Sequence, residues 1–345
     1  MNKLRCAILD DYQHAALTSA DWLPIMGDVE IRSIHHHFDN EEQLAGAVGD
    51  CQILVVMRER TPFPASLFER LRHLQLVVTT GMRNASIDLA AAQSHGVVVC
   101  GTSSRPEPPV ELTWALILAL GRHIVSESSA LRAGGPWQST VGADLSGQTL
   151  GLLGLGKIGA RVARVAQAFD MDVVAWSQNL TAERTTAAGV RLAPSVAALL
   201  EQSDFVSIHL VLSDRTRGLL AAESLAHMKR SAYLINTSRA AIVDQEALVT
   251  ALREGWIAGA AVDVFEEEPL PKDHVLRTLP NLLATPHLGY VTRANYSLFY
   301  REAMEDISAF LDGEPIRILT TPVTEAAEIT GSHGATEERR TGGVD

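Results

Sequence analysis

The sequence predicts an α/β fold with parallel sheets, because short apolar runs alternate with amphipathic helical stretches along most of the chain. Most of these runs are apolar throughout, as expected for strands that are covered on both faces. A strand, a helix and another strand in succession imply a right-handed crossover between parallel strands. The strands are predicted at residues 6–9, 53–57, 76–79, 97–100, 150–153, 173–176, 205–210, 233–236, 260–264 and 282–284.

Helices are predicted between these strands, for example over residues 157–169 and 244–253, where apolar side chains recur at helical spacing. A segment rich in breaking residues, 101–109, precedes a long helix that is predicted over 110–128. This segment indicates the place where the chain leaves a first sheet and begins a second.

The two predicted sheets imply two domains. We expect residues 102–293 to form the second domain, and the helix predicted over 296–311 to return to the first. The first domain would then comprise residues 1–101 and 294–320. The Thr-, Glu- and Gly-rich stretch 321–345 has few apolar residues and is expected to be a disordered tail.

The composition disfavours several classes of partner. The chain has 345 residues, of which 46% are hydrophobic and 20% are charged, so it can bury a sizeable core. Its 41 acidic and 29 basic residues give a net charge of −12, which repels a phosphate backbone or an anionic membrane surface. The longest apolar stretch, 114–120, is far shorter than the roughly 20 residues of a membrane span. We therefore predict no nucleic-acid or membrane partner.

The cysteines predict a reducing environment. Cys6, Cys51 and Cys100 are few and scattered, which predicts buried thiols rather than a disulfide framework. The apolar run near the N-terminus is too short for a signal sequence. We expect a soluble, cytoplasmic protein.

A glycine motif follows the predicted strand over 150–153 and opens a helix. Gly154 permits a tight turn, Gly156 lets the backbone approach a pyrophosphate, and Gly159 lets the helix pack closely on the strand. The backbone N–H groups at Lys157 and Ile158 then face the anion from the N-terminus of the helix. The strand and the helix on either side make this motif a predicted dinucleotide site.

The next strand should end beside the adenosine ribose of such a cofactor. Asp172 precedes this strand and therefore lies at its wrong end. Ser177, Gln178 and Asn179 follow the strand, so the carboxylate that usually binds the ribose hydroxyls is missing. The nearest basic residue is Arg184. NAD is the expected cofactor, and NADP is left open.

Three more predicted strands are followed by side chains that can take part in catalysis. Arg239 follows the strand over 233–236, a run of three glutamates ending at Glu268 follows the strand over 260–264, and His287 follows the strand over 282–284. Open parallel sheets bind ligands at the carboxyl ends of their strands. These side chains are therefore candidates for one active site.

This ordered set of motifs resembles the D-isomer-specific 2-hydroxyacid dehydrogenases, from the first predicted strand to about Thr320. The resemblance implies a Rossmann-type cofactor domain inserted into a flavodoxin-like substrate domain, and an oxidoreductase that interconverts a 2-oxo acid and a D-2-hydroxy acid. It makes Arg239 the residue that binds the substrate carboxylate, Glu268 the acid beside the histidine, and His287 the proton donor. Asp263 matches the family aspartate near the nicotinamide carboxamide.

The resemblance also implies further contacts. Gly81, Met82 and Arg83 lie in the loop whose backbone N–H groups hold the carboxylate in this family. We add the hypothesis that Arg58 and Arg83 face the cleft and contact an anionic substrate. The other residues expected near the cofactor are Thr113, His209, Thr216 and Thr237.

Four positions depart from the family pattern. Arg83 stands where a second glycine is usual, Ala240 replaces a glycine, Val211 replaces a proline, and Ser177 replaces the cofactor aspartate. These departures leave the substrate and the choice between NAD and NADP open. They do not touch the arginine, glutamate and histidine set.

The chemistry explains why these residue types are needed. Reduction of a 2-oxo acid requires a hydride at carbon, which the cofactor supplies, and a proton at oxygen. An imidazole such as that of His287 can donate the proton near neutral pH, and a carboxylate such as Glu268 can orient the ring. The Arg239 guanidinium can bind the carboxylate with two parallel N–H groups and polarise the carbonyl.

Two rival functions share this scaffold. A formate dehydrogenase needs no proton relay, and its relatives carry Gln in place of Glu268, so the acid argues against this alternative. A dinucleotide-sensing, corepressor-like interaction protein would keep the same residues. Turnover of 2-oxo acids distinguishes a 2-hydroxyacid dehydrogenase from such an interaction protein.

Two other segments suggest a metal site and an oligomer interface. His35, His36 and His37 invite a metal site, but adjacent side chains on an extended segment point to opposite sides, so we expect a polar loop and no metal. The segment 122–146, which contains Trp137, resembles the dimerisation arm of the family, so we expect a homodimer.

Overall fold

The computed structural model describes residues 3–320. Its strands and helices form two separate parallel sheets, flanked by helices. The predicted α/β class is therefore confirmed. The predicted tail, 321–345, lies outside the described residues.

The first sheet contains five strands in the order β2-β1-β3-β4-β5, all parallel. Its strands are β1 (Leu4–Ile8), β2 (Val29–Ser33), β3 (Ile53–Val56), β4 (Leu76–Thr79) and β5 (Val98–Gly101). The helices between them are α1 (Ala16–Ser19), α2 (Glu41–Val48), α3 (Ala65–Arg70) and α4 (Leu89–Ser94).

The second sheet contains seven parallel strands in the order β12-β11-β10-β9-β6-β7-β8. The strand order reverses beside β6, because β6 pairs with β9 on one side and β7 on the other. Its strands are β6 (Thr149–Leu153), β7 (Asp172–Trp176), β8 (Arg191–Leu192), β9 (Phe205–Ile208), β10 (Tyr233–Asn236), β11 (Gly259–Val262) and β12 (Leu282–Ala284).

Helices cover both faces of this second sheet and connect it to the first. They are α5 (Glu107–Gly121), α6 (Ile124–Arg132), α7 (Lys157–Ala168), α8 (Ala182–Ala187), α9 (Val196–Gln202), α10 (Ala222–Ala226), α11 (Gln245–Arg253) and α12 (Arg293–Leu311). The last of these packs on the five-stranded sheet, where Phe299 and Tyr300 are fully buried against β1 and β4.

The long helix predicted over 110–128 is wrong in one respect. The helical stretch is divided into α5 and α6, because His123 adopts a left-handed backbone conformation with φ of 51°. Such a conformation is uncommon in a residue other than glycine and breaks the helical hydrogen-bond series. The α6 helix buries none of its residues, so packing against the rest of this chain does not explain why the helix lies where it does.

Two strands were not predicted. The β2 strand alternates buried Val29 with exposed Glu30 at the sheet edge, so it lacks the continuous apolar run of the central strands. The β8 strand contains only Arg191 and Leu192, both exposed, at the opposite edge of the other sheet. Edge strands need less apolar character, and a two-residue strand has no recognisable period.

Candidate active site

The histidine and the glutamate singled out above are in direct contact. The Nδ1 atom of His287 lies 2.6 Å from Oε2 of Glu268, and both side chains are about four-fifths buried (17% and 23% exposed). The other carboxylate oxygen of Glu268 accepts a hydrogen bond from the backbone N–H of Phe265 at 2.9 Å. Glu268 is thus fixed at both oxygens, and Nε2 of His287 is left for another partner.

Asp263 holds the segment that carries His287. Its carboxylate accepts hydrogen bonds from the Thr285 hydroxyl (2.7 Å) and from the backbone N–H groups of Leu288 (2.7 Å) and Gly289 (2.8 Å). Burial raises the pKa of Asp263, and the hydrogen bonds from Thr285 and Leu288 oppose this shift. Its side chain is fully buried beneath this turn, so Asp263 fixes the backbone that carries His287.

Arg239 lies three residues after the end of β10, and its side chain reaches toward the other sheet. Asn236 shapes this turn, since its side chain donates to the Arg239 carbonyl and accepts from the Ser238 N–H, both at 3.0 Å. The Arg239 guanidinium donates to the Ser238 carbonyl at 2.7 Å and to Oε1 of Glu59 at 2.7 Å. Glu59 follows β3 of the five-stranded sheet, so this ion pair joins the carboxyl ends of both sheets.

A chain of contacts connects Arg239 with His287. Glu59, which bonds Arg239, has its Oε2 atom 3.7 Å from Nε of Arg58. The Arg58 guanidinium lies 5.8 Å from the ring centre of Tyr290. That ring in turn meets the His287 ring edge to face, with centroids 5.1 Å apart. The predicted arginine, glutamate and histidine are thus linked through residues that follow both sheets, and the region between these residues is called the cleft below.

The loop after β4 lies against Arg58. A side-chain carbon at Gly81, whose φ is 101°, would be 2.2 Å from Nη1 of Arg58, so only glycine permits this approach. The N–H of Gly81 donates to the Thr102 hydroxyl at 3.0 Å. Within residues 3–320, the N–H groups of Met82 and Arg83 have no acceptor, and they are the donors of this loop that a carboxylate can use.

The glycine motif fits a dinucleotide pyrophosphate. A side-chain carbon at Gly159 would be 2.1 Å from the Gly154 carbonyl oxygen, so α7 packs directly on the turn. The space around Gly156 is open, and no side chain caps the N-terminus of α7. The N–H groups at Lys157 and Ile158 can therefore bind an anion.

Four other predicted cofactor residues make contacts of their own. Thr113 and Thr237 lie in contact, with 3.1 Å between their hydroxyl oxygens. The carbonyl of His209 packs on Gly154, and burial lowers the pKa of its ring to about 4, so the ring is neutral near pH 7. The Thr216 hydroxyl accepts from the Ser213 N–H at 2.8 Å and supports the exposed loop that follows His209.

The end of β7 carries no acid, as the sequence indicated. Ser177, Gln178 and Asn179 follow the strand, while Asp172 begins it and pairs with Arg191 on the surface. Arg184 is not adjacent in sequence, but its guanidinium donates to the Leu155 carbonyl in the glycine loop at 3.2 Å.

The three adjacent histidines have separate surroundings. His35 bonds the Asp11 carbonyl, His37 bonds the Asp10 carboxylate at 3.2 Å, and His36 packs on the Phe38 ring. Among residues 3–320, no group of three or more His, Cys, Asp or Glu side chains is placed to hold a metal ion. In the same part of the chain, no helix has the length and apolar character needed to cross a membrane.

Sequence reasoning missed two residues of the cleft, Glu59 and Tyr290. The sequence contains an indication of Glu59, since this acid follows a predicted strand and lies between two arginines. Its partner Arg239, however, is 180 residues away. Tyr290 follows the histidine turn, and its buried hydroxyl has no hydrogen-bond partner within the described chain.

The fold and this site define a dinucleotide-dependent oxidoreductase, and comparison with known proteins gives its family. Residues 114–289 match the model of the D-isomer specific 2-hydroxyacid dehydrogenase, NAD binding domain. A glyoxylate reductase of Aeropyrum pernix is 40% identical over 72% of this chain and 76% of its own length. A D-3-phosphoglycerate dehydrogenase of Methanocaldococcus jannaschii is 35% identical over 79% of this chain, which spans about half (52%) of that relative.

A solved structure agrees with these matches. The phosphoglycerate oxidoreductase of Vibrio cholerae O395 superposes with a TM-score of 0.86 and 35% identity, covering 90% of this chain and 99% of that one. The chain belongs to the D-isomer-specific 2-hydroxyacid dehydrogenase family, as its motifs predicted. It is an oxidoreductase that uses NAD(P).

Proposed function

We propose that the protein reduces a small 2-oxo acid to the D-2-hydroxy acid, with His287 as proton donor, Glu268 as its orienting acid and Arg239 as the carboxylate-binding residue. The observation that carries this proposal is the 2.6 Å contact between His287 and Glu268 in the cleft that Arg239 also borders. The cofactor supplies the hydride when it is bound.

The chain positions the substrate and moves the proton. Arg239 binds the carboxylate, and the free N–H groups of Met82 and Arg83 add donors from the other sheet. Nε2 of His287 then faces the oxo group and donates its proton as the carbonyl becomes an alcohol, while Glu268 stabilises the imidazolium before the transfer. Closure of the cleft would exclude water from this proton transfer.

The closure follows from the proposed domain division. Residues 1–101 and 294–320 would move as one body and residues 102–293 as the other, with the crossings at Gly101 and Arg293 as hinges. The division is supported by the separate cores of the two sheets and by the packing of α12 on the first.

The test is an assay of NADH and NADPH oxidation with glyoxylate, hydroxypyruvate and phosphohydroxypyruvate. We expect turnover of at least one acid, with the D-hydroxy acid as product. A clean preparation that binds NADH and reduces none of the acids would instead support a dinucleotide-sensing role.

Cofactor selection provides a separate prediction. Ser177 has no charge that would repel a 2′-phosphate, and Arg184 bonds the glycine loop. We therefore expect the protein to bind NADPH in addition to NADH. Arg184→Gln should weaken NADPH binding about tenfold, because a charge-assisted hydrogen bond to phosphate is lost, and leave NADH within about twofold. Titration of cofactor fluorescence measures both constants.

The control for this prediction is Arg253→Gln, which removes an exposed arginine at the end of α11. It should change neither constant. Equal weakening of both cofactors by Arg184→Gln would show that Arg184 acts on the loop and not on the phosphate.

We also propose that the chain forms a homodimer through α6 and the segment after it. This surface exposes large apolar side chains, which a monomer rarely leaves in contact with water. The residues are Ile124 (53% exposed), Val125 (50%), Leu131 (55%), Trp137 (80%) and Val141 (94%).

Replacing Trp137 with Ser should shift the protein from dimer toward monomer, because aromatic anchors contribute most of the binding energy in such interfaces. Light scattering after size-exclusion chromatography measures the mass. Leu23→Ser is the matched control, since Leu23 is 74% exposed on the first domain and should leave the dimer intact. A monomeric parent protein contradicts the proposal.

We infer a reducing, cytoplasmic environment from the cysteines. All three are free and buried, and burial raises the pKa of the Cys6 and Cys100 thiols. They remain protonated and apolar, as in proteins that contain no disulfide framework.

A further inference from the structure

Glu59 places a fixed negative charge beside the carboxylate-binding arginine. It lies three residues after the end of β3, and its Oε1 atom accepts from Arg239 at 2.7 Å across the cleft. Although burial alone would raise it, the pKa of Glu59 is held below its ordinary value by the attraction of Arg239 and Arg58. The carboxylate is therefore ionised near neutral pH.

Glu59 and a substrate carboxylate can bind Arg239 together. A guanidinium has five N–H donors, and those of Arg239 that are engaged donate one bond to Ser238 and one to Glu59. The rest remain available to a ligand, and the side chain is still 36% exposed. Glu59 therefore orients the arginine and lowers the net charge beside it without occupying every donor.

The two arginines that flank Glu59 are already engaged by the protein. Arg60 is buried, donates to the Asp10 carbonyl at 2.8 Å and lies 4.6 Å from the ring centre of Tyr12. Arg58 faces Glu59 and packs against Gly81. Arg60 is therefore held by groups other than Glu59, and the charge of Arg58 is paired with Glu59 itself.

We propose that Glu59 is a specificity-determining residue, which makes the cleft favour a 2-oxo acid with a single negative charge over one with a second anionic group. Glyoxylate and hydroxypyruvate belong to the favoured class, whereas oxaloacetate and phosphohydroxypyruvate carry the extra charge. The physical basis is repulsion in a partly buried site, where charges interact more strongly than in water. The inference rests on the proposed function, since it assigns the substrate class of that site.

The first test compares substrates in turnover. We expect the parent enzyme to have a kcat/KM for hydroxypyruvate about tenfold or more above that for phosphohydroxypyruvate, and Glu59→Gln to reduce this ratio about tenfold. Glu59→Asp retains the charge and should keep the ratio. Glu267→Gln, the same substitution at an exposed acid near Glu268, should also keep it.

The second test measures binding without turnover. D-lactate and D-malate differ by one carboxylate, and neither reacts with the complex of enzyme and NADH. Quenching of NADH fluorescence gives their affinities, and Glu59→Gln should improve D-malate relative to D-lactate by about tenfold. This arm works even if none of the assayed acids is reduced, so it separates the role of Glu59 from the proposed reaction.

Three results would overturn the inference. One is a parent enzyme that prefers the doubly charged acids and loses this preference in Arg83→Ala, because Arg83 would then be the cation for the second group. Another is Glu59→Gln with both ratios unchanged. The third is an equal loss of affinity for all ligands, which would make Glu59 a structural residue. If Glu59→Gln fails to fold, the kcat/KM ratio of the parent enzyme for singly over doubly charged acids decides alone.

Discussion

Replacing His287 with Gln is expected to lower kcat by about 100- to 10,000-fold, the range that a positioned general acid contributes. Gln preserves the approximate size of the side chain and a hydrogen bond to Glu268, but it cannot release a proton to the substrate oxygen. The affinity for NADH should stay within about twofold, since the ring contacts Glu268 and Tyr290, neither of which belongs to the glycine motif. Single-turnover reduction of glyoxylate measures the loss, and fluorescence titration measures the affinity.

A surface pair of the same composition provides the control. His227 contacts Glu201 at 3.0 Å, and both side chains are exposed. His227→Gln therefore breaks a histidine–glutamate pair on the surface of the protein. It should leave kcat unchanged. If His287→Gln turned over at the rate of His227→Gln, another group would have to supply the proton.

Replacing Arg239 with Gln is expected to lower kcat/KM by about 100- to 1,000-fold. The loss corresponds to two charge-assisted hydrogen bonds to the substrate carboxylate, at roughly 1.5–2 kcal/mol each. We expect kcat/KM to fall for every 2-oxo acid, because all of them present the same carboxylate to Arg239. Steady-state kinetics with three acids measure it.

The substitution also removes the closer of the two charge partners of Glu59 and leaves only Arg58 at 3.7 Å. A buried charge without a partner destabilises a protein, so the single variant confounds binding with stability. The double variant Arg239→Gln with Glu59→Gln removes both charges and should recover the melting temperature but not kcat/KM. Full recovery of kcat/KM in the double variant would mean that Arg239 only neutralises Glu59.

The central strands and the residues that follow them could be predicted from the sequence. Strands such as β10 are apolar throughout because both faces are covered, and this pattern is visible without coordinates. The parallel arrangement then places their carboxyl ends at one edge, which is why Arg239, Glu268 and His287 could be grouped although they are far apart in the chain. The contact between the last two agrees with this expectation.

The rest depends on contacts between distant segments, which the chain does not display locally. The break at His123 requires a left-handed residue inside a stretch with helical character. The pairing of Glu59 with Arg239 depends on how the loops of two sheets approach each other. Asp263 was predicted near the cofactor from the family resemblance, but its hydrogen bonds to the histidine turn follow from three-dimensional placement.

That turn also bears on how the enzyme could be altered. His287 has φ of 51°, a backbone geometry that costs a non-glycine residue about 1–3 kcal/mol. The Asp263 carboxylate offsets this cost through its hydrogen bonds to the turn. In the proposed reaction, the imidazole is therefore held in place before the substrate binds, which leaves little reorganisation for the proton transfer. Laboratory evolution toward new acids should therefore randomise the loop after β3 and retain Asp263, Thr285 and Gly289 as an invariant frame.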